Sequence, residues 1–264
     1  MQAKTQLARV NGIELAYQLF GNGKPLILLH GGFGSVDMFG PNIEELAKHF
    51  RVVGVDLQSH GRSPAANRPM RWESMADDIA ALVRSLDLER AAIMGFSLGG
   101  GVALRTGIQH PDVVERLVLV STVFTNRGWH PEMTAGMKSM GPEMAEPMKQ
   151  SPMYADYARV APNVDDWPVL VKQLTTLLKV DYDWSADVAK LTMPVMIVVG
   201  DADGLPPSHA VAFFELLGGG KRDASWDRSG MTPHRLAVLP GATHYDIHIL
   251  PALSDAVIPF LEGA

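Results

Sequence analysis

A chain of 264 residues lies near the upper size that one hydrophobic core serves, so a single domain carrying an insertion is expected rather than two independent ones. Hydrophobic residues make up 47% and charged residues 20%, the balance of a folded globular chain, and a net charge of −6 with scattered Lys and Arg excludes the basic stripe that a nucleic-acid partner requires. The absence of cysteine excludes disulfides, thiolate metal sites and cysteine nucleophiles, while residues 1–15 lack a continuous apolar leader and no apolar run is long enough to span a bilayer; a cytoplasmic protein with no membrane partner is expected.

Residues 6–10 and 14–19 flank Asn11-Gly12, a dipeptide suited to the positive φ angles of a tight turn, and read as an opening antiparallel hairpin. A continuous apolar run at 25–30, a Gly-rich loop, an amphipathic stretch at 42–49 and a second apolar run at 51–56 form a strand, helix, strand unit. The alternation continues with a helix at 72–86, a strand at 91–95, a helix at 98–109 and a strand at 116–121. It resumes with a strand at 194–200, a helix near 208–217, a strand at 235–239 and a last helix at 252–261. Unpunctuated apolar strands separated by helices imply an α/β fold with a mostly parallel central sheet covered on both faces.

Residues 124–190 break this pattern. They are rich in Pro and Met, hold no apolar run of strand type, and read as a helical lid inserted between late strands of a core made of 1–123 and 191–264. Methionines 133, 137, 140, 144 and 148 recur at helical spacing, but Gly141-Pro142 and Pro147 interrupt any single helix, so several short helices are expected. The methionines suit either an adaptable substrate surface or core filling, and Trp129, Trp167 and Trp184 either line a pocket or anchor the insertion.

Acyl transfer needs an exposed nucleophile, a base, an acid that orients the base, and amide donors for an oxyanion. Gly95-Phe96-Ser97-Leu98-Gly99 fits G-x-S-x-G between an apolar strand and a helix, the context of a nucleophile elbow, with the helix N-terminus favouring negative charge at Ser97. The same glycines also fit the G-x-x-x-G-x-G turn of short-chain dehydrogenases. That alternative fails because the motif is not in the first βα unit and no Tyr is followed four residues later by Lys.

On these residues the chain resembles the α/β-hydrolase superfamily, in its branch of serine esterases and cofactor-free haloperoxidases. The resemblance implies the chain order Ser, acid, His. Gly200-Asp201-Ala202-Asp203 then points to Asp203 as the acid, three residues past the glycine, with Asp201 as fallback. Pro240-Gly241-Ala242-Thr243-His244 points to His244 as the base, with His248 a lesser candidate and Asp246 structural. His30-Gly31-Gly32-Phe33-Gly34 resembles the family's HG-x loop, so the oxyanion amides would be those of Gly32 or Phe33 together with Leu98. Asp56-Leu57-Gln58-Ser59-His60-Gly61-Arg62-Ser63 resembles D-x-R-G-H-G-x-S, with Gln58-Ser59 in place of Arg-Gly, and His30 and His60 suit bracing of tight loops better than chemistry.

Serine at the elbow argues against branches that use a carboxylate nucleophile. The expected function is hydrolysis of a small apolar carboxylic ester or lactone through an acyl-enzyme, without metal or organic cofactor, and with the acid limb of the pH profile set by the need for neutral His244. Perhydrolase or haloperoxidase chemistry and C–C bond hydrolysis use the same triad, and a non-catalytic small-ligand receptor uses the same fold; oligomeric state is not legible.

Overall fold

The computed structural model describes residues 3–263. Met1 and Gln2, the start of the stretch read as carrying no leader, and Ala264 lie outside the described residues. Among the described residues no helix is long and apolar enough to cross a membrane.

Eight strands form one sheet in the order β1-β2-β4-β3-β5-β6-β7-β8. These are β1 (Thr5–Val10), β2 (Ile13–Phe20), β3 (Lys24–Leu29), β4 (Phe50–Asp56), β5 (Ala91–Phe96), β6 (Val114–Val120), β7 (Val195–Ala202) and β8 (Arg235–Thr243). The β1–β2 hairpin turns at Asn11-Gly12, both with positive φ, and β2 also runs antiparallel to β4; every other pairing is parallel. The apolar runs have the composition they do because the sheet is covered on both faces. On one face lie α2 (Trp72–Ser85) and α3 (Leu98–Gln109), and on the other α1 (Pro41–Ala47), each face closing over its own buried cluster.

Between β6 and β7, which pair directly, the chain makes α4 (Pro131–Ser139), α5 (Pro152–Val160), α6 (Trp167–Leu177) and α7 (Ser185–Val188), with 3-10 turns at Pro142–Ala145, Pro147–Gln150 and Val164–Asp166. Prolines open α4, α5 and the turns Pro142–Ala145 and Pro147–Gln150, where a missing N–H costs least. Trp167 is fully buried and its indole N–H donates to the Ala145 carbonyl at 2.9 Å; Trp184 is buried against Trp72, with Arg105 over its ring. Both are anchors. After β7 come α8 (Pro207–Leu216) and α9 (Pro251–Glu262).

Two strand ends differ from the sequence reading. β7 continues past Gly200 to Ala202, and β8 continues through Pro240-Gly241 to Thr243 rather than stopping at Leu239. The register jumps from Gly200 opposite Leu239 to Ala202 opposite Thr243, so β8 bulges at 240–242. A bulge on an edge strand is where a sheet tolerates proline, which is why the turn-forming residues did not end the strand. The short helix Val36–Phe39 also forms where the sequence reads as a Gly-rich loop.

Candidate active site

The candidate residues gather at the carboxyl ends of the central strands, where open α/β sheets carry their sites. Ser97 occupies the single-residue turn between β5 and α3 with φ +52° and ψ −113°. The turn is this tight because strand and helix touch: a Cβ at Gly95 would lie 2.1 Å from the Gly99 carbonyl oxygen, and one at Gly99 would lie 2.3 Å from that of Leu29. No larger residue fits either position.

The last register pair of β7 and β8, Ala202 with Thr243, sets Asp203 and His244 side by side one residue further on. His244 Nδ1 lies 2.9 Å from Asp203 Oδ1, and Nε2 lies 3.1 Å from Ser97 Oγ. An ionised carboxylate only accepts, so the Nδ1 proton donates to Asp203 and Nε2 is left to accept the Ser97 hydroxyl. Asp203 is buried and takes three further hydrogen bonds, from Gly204 N–H at 2.7 Å, Gly200 N–H at 3.0 Å and the Ser121 hydroxyl at 2.5 Å. Burial alone would raise its carboxyl, but the bonds from His244, Ser121 and Gly200 outweigh it and hold the group below the usual carboxylate range.

Gly31-Gly32-Phe33-Gly34 forms a turn closed by the Gly34 amide on the Gly31 carbonyl, with Phe33 at φ +60°. Gly99 N–H donates to the His30 carbonyl at 3.0 Å, which pins the start of α3 to this loop. Gly32, Phe33 and Leu98 line the same cavity as Ser97, and among the described residues the amides of Phe33 and Leu98 have no acceptor. The cavity encloses about 540 Å³. Its walls are mainly apolar, from Met38, Phe96, Trp129, Leu174 and Leu177 with the methionines at 133, 137, 140 and 153.

A family model for the alpha/beta hydrolase fold matches residues 24–150. The AB hydrolase superfamily protein YisY of Bacillus subtilis is 37% identical over 124 residues, an alignment that takes in 45% of this chain and 46% of that protein's length. A thermophilic esterase of Thermogutta terrifontis superposes with a TM-score of 0.76 at 22% identity over 98% of both chains. The enol-lactonase of Burkholderia xenovorans superposes with a TM-score of 0.72 at 22% identity over 97% of this chain and 100% of its own. The chain has the α/β-hydrolase fold.

Several residues of this chain take the quieter of the roles open to them. Asp201 is exposed and accepts the Gly241 amide across the β7–β8 pair, away from the relay; Asp246 accepts both the amide and the hydroxyl of Thr243. His30 is fully buried, donates from Nδ1 to the Gly31 carbonyl and accepts the Leu57 amide at Nε2; burial pushes its pKa down to about 4. His60, tilted against it at 5.0 Å, donates to the Gln58 carbonyl and is pushed by burial to about 3. Both are neutral braces. His248 lines the cavity with its ring 4.8 Å from Phe96, although its segment is turn rather than helix, and burial lowers it to about 4. Met144 and Met148 pack into the core instead of the cavity, since the two 3-10 turns rotate them away from the face of α4.

Three polar features escaped sequence reading. Ser121 reaches Asp203. Arg62 bridges Asp56 and Asp37, and Asp37 also takes Arg159 of α5 at 3.1 Å, so an ion-pair chain runs from buried Asp56 to two residues that line the cavity, Asp37 and Arg159; burial pushes the Asp56 carboxyl up although Arg62 and two backbone amides oppose it. Gln58 and Ser59, the pair that departs from the family pattern, both meet the side-chain oxygen of Gln173 on α6, at 3.2 and 2.9 Å, and the Gln173 amide donates to the Ala66 carbonyl at 2.7 Å.

Proposed function

We propose that this protein hydrolyses small apolar carboxylic esters or lactones through an acyl-enzyme. The observation that carries the reading is the continuous relay from Asp203 through His244 to Ser97 on the floor of a methionine-walled cavity. In this reading His244 Nε2 takes the Ser97 proton as Oγ attacks the carbonyl carbon, and Asp203 holds the imidazole in the tautomer that can accept it. The tetrahedral oxyanion is stabilised by the amides of Leu98 and of Phe33 or Gly32, residues that line the cavity beside Ser97 and sit in turns already formed. The imidazolium then protonates the leaving group, and a water deprotonated by His244 releases the acid product and frees Ser97.

Residues 124–190 act as the lid of this site. Support comes from α4 and α5, which contribute the methionines at 133, 137 and 153 to the cavity wall. Thioether chains repack around varied apolar shapes, so an alkyl or aryl acyl group is the expected occupant. The relatives named above include an esterase and an enol-lactonase, which agrees with ester or lactone substrates. A fluorophosphonate probe tests the reading: it should add covalently to Ser97 in the wild-type protein, not in Ser97→Ala, and a panel of p-nitrophenyl esters should be turned over only by the former. A folded wild-type protein that forms no adduct and turns over no ester sinks the proposal in favour of a ligand-binding receptor.

A further inference from the structure

Only one oxygen of Asp203 faces His244. The other, Oδ2, is held by the Gly200 amide and by the hydroxyl of Ser121. Ser121 follows the last residue of β6, is fully buried, and donates its own amide to the Val198 carbonyl of β7 at 2.8 Å. It does not line the cavity, so it meets no substrate. Its φ is +49°, in the left-handed region where a side chain is disfavoured and glycine is not. A strained non-glycine residue invites a question about what its side chain supplies. Here the side chain is one hydroxyl, and its acceptor is the Asp203 carboxylate.

We infer that Ser121 is a positioning residue for the relay: its hydroxyl fixes the rotation of the Asp203 carboxylate so that Oδ1 addresses His244 Nδ1. Asp203 lies just beyond the β7 strand end and can turn about its Cβ–Cγ bond. The Gly200 and Gly204 amides each hold one oxygen, but both come from the segment that carries Asp203 itself. Ser121 is the donor on Oδ2 that comes from a different strand, and so it ties the carboxylate plane to the frame that also carries Ser97, whose amide bonds Val120 next to it. This inference rests on the acyl-transfer reading given above.

The test compares wild type, Ser121→Ala and Ser121→Gly. Alanine removes the hydroxyl and keeps the strained backbone; glycine removes the hydroxyl and relieves the strain, so it secures a folded variant. Active sites are titrated with a fluorophosphonate, kcat and KM are measured on p-nitrophenyl butyrate, and the His244 Nδ1 proton is followed by its low-field NMR resonance. Both variants should keep KM and lose about tenfold in kcat per titrated site, the scale of one hydrogen bond to a charged group, and the resonance should move in both. A merely structural serine predicts fewer active sites with unchanged kcat and an unmoved resonance, which overturns the inference. Wild-type kcat in Ser121→Gly alongside a slow Ser121→Ala also overturns it, because strain and not the hydroxyl would then be responsible. If wild-type protein neither labels nor turns over ester, the acyl-transfer reading itself fails and takes this one with it; labelled wild type with unaffected variants rejects Ser121 alone.

Discussion

Replacing Asp203 by Asn keeps the shape of the side chain and reverses half of its hydrogen-bonding capacity. All four partners of the carboxylate are donors in the wild-type protein: His244 and Gly204 on Oδ1, Ser121 and Gly200 on Oδ2. An amide offers one acceptor oxygen, so its NH2 must confront two of them. With the NH2 on the outer side, Ser121 can rotate to accept, but the Gly200 amide is orphaned. With the NH2 on the inner side, the Gly204 amide is orphaned and His244 must accept at Nδ1, which places its proton on Nε2 and blocks removal of the Ser97 proton. Either orientation leaves one backbone donor unpaired, and where it is the buried Gly200 amide rather than the half-buried Gly204 amide the cost is about 1–3 kcal/mol. Where the wrong tautomer results, kcat should fall about 10⁴-fold, or about 5 kcal/mol of transition-state stabilisation. Urea unfolding supplies the first quantity and burst-corrected ester hydrolysis the second. Turnover within about tenfold of wild type would refute the reasoning and move the orienting acid elsewhere.

Other expectations follow from the same geometry. Because the folded-state carboxyl of Asp203 lies below its ordinary value, it contributes stability that is present above about pH 4 and is lost as pH falls through the lowered value; wild type should therefore lose more unfolding free energy than Asp203→Asn between about pH 5 and pH 2.5 in paired urea titrations. Arg62→Leu strips the guanidinium from buried Asp56 and should cost about 3 kcal/mol in chemical unfolding, the low end for a broken buried pair because the Val36 and Arg62 amides still reach the carboxylate. Met137→Trp fills the cavity from the α4 side and should lower kcat/KM for octanoyl esters at least tenfold more than for acetyl esters; an equal loss on both would show that the acyl chain does not lie against α4.

Where a residue's neighbours are fixed by local pattern, the sequence was readable. The parallel strands show as unbroken apolar runs, the elbow at Ser97 as two glycines around a serine, and the opening hairpin as Asn11-Gly12 between alternating segments. The order Ser97, Asp203, His244 followed from family resemblance, and the sheet register explains it: Ala202 and Thr243 are opposite one another, so the residues after them must meet. What stayed hidden depends on partners distant in sequence. Ser121 is a plain serine at a strand end until the β6–β7 pairing brings it to Asp203. The extension of β8 past Pro240 was missed because a proline-glycine pair signals a turn locally, while an edge strand absorbs it as a bulge. In the 124–190 segment the break of the methionine spacing at Gly141-Pro142 and Pro147 was readable, but the direction of each side chain was not: Met133 and Met137 line the cavity and Met148 packs into the core.

The clasp between Gln58, Ser59 and Gln173 has a further consequence for how this chain can change. Helical insertions between sheet strands are natural units of exchange, since their ends lie close together and the sheet closes without them. Here the insertion has written itself into the core: the amide and oxygen of Gln173 on α6 complete the hydrogen bonding of a loop that follows β4, whose residues Gln58 and Ser59 are almost wholly buried. A foreign insertion grafted onto this sheet would leave the Ser59 hydroxyl proton and the Ala66 carbonyl without partners, while Gln58 would keep only its bonds to Arg68, unless positions 58 and 59 travelled with it. Variation at these three sites is therefore expected to be inherited together rather than one position at a time.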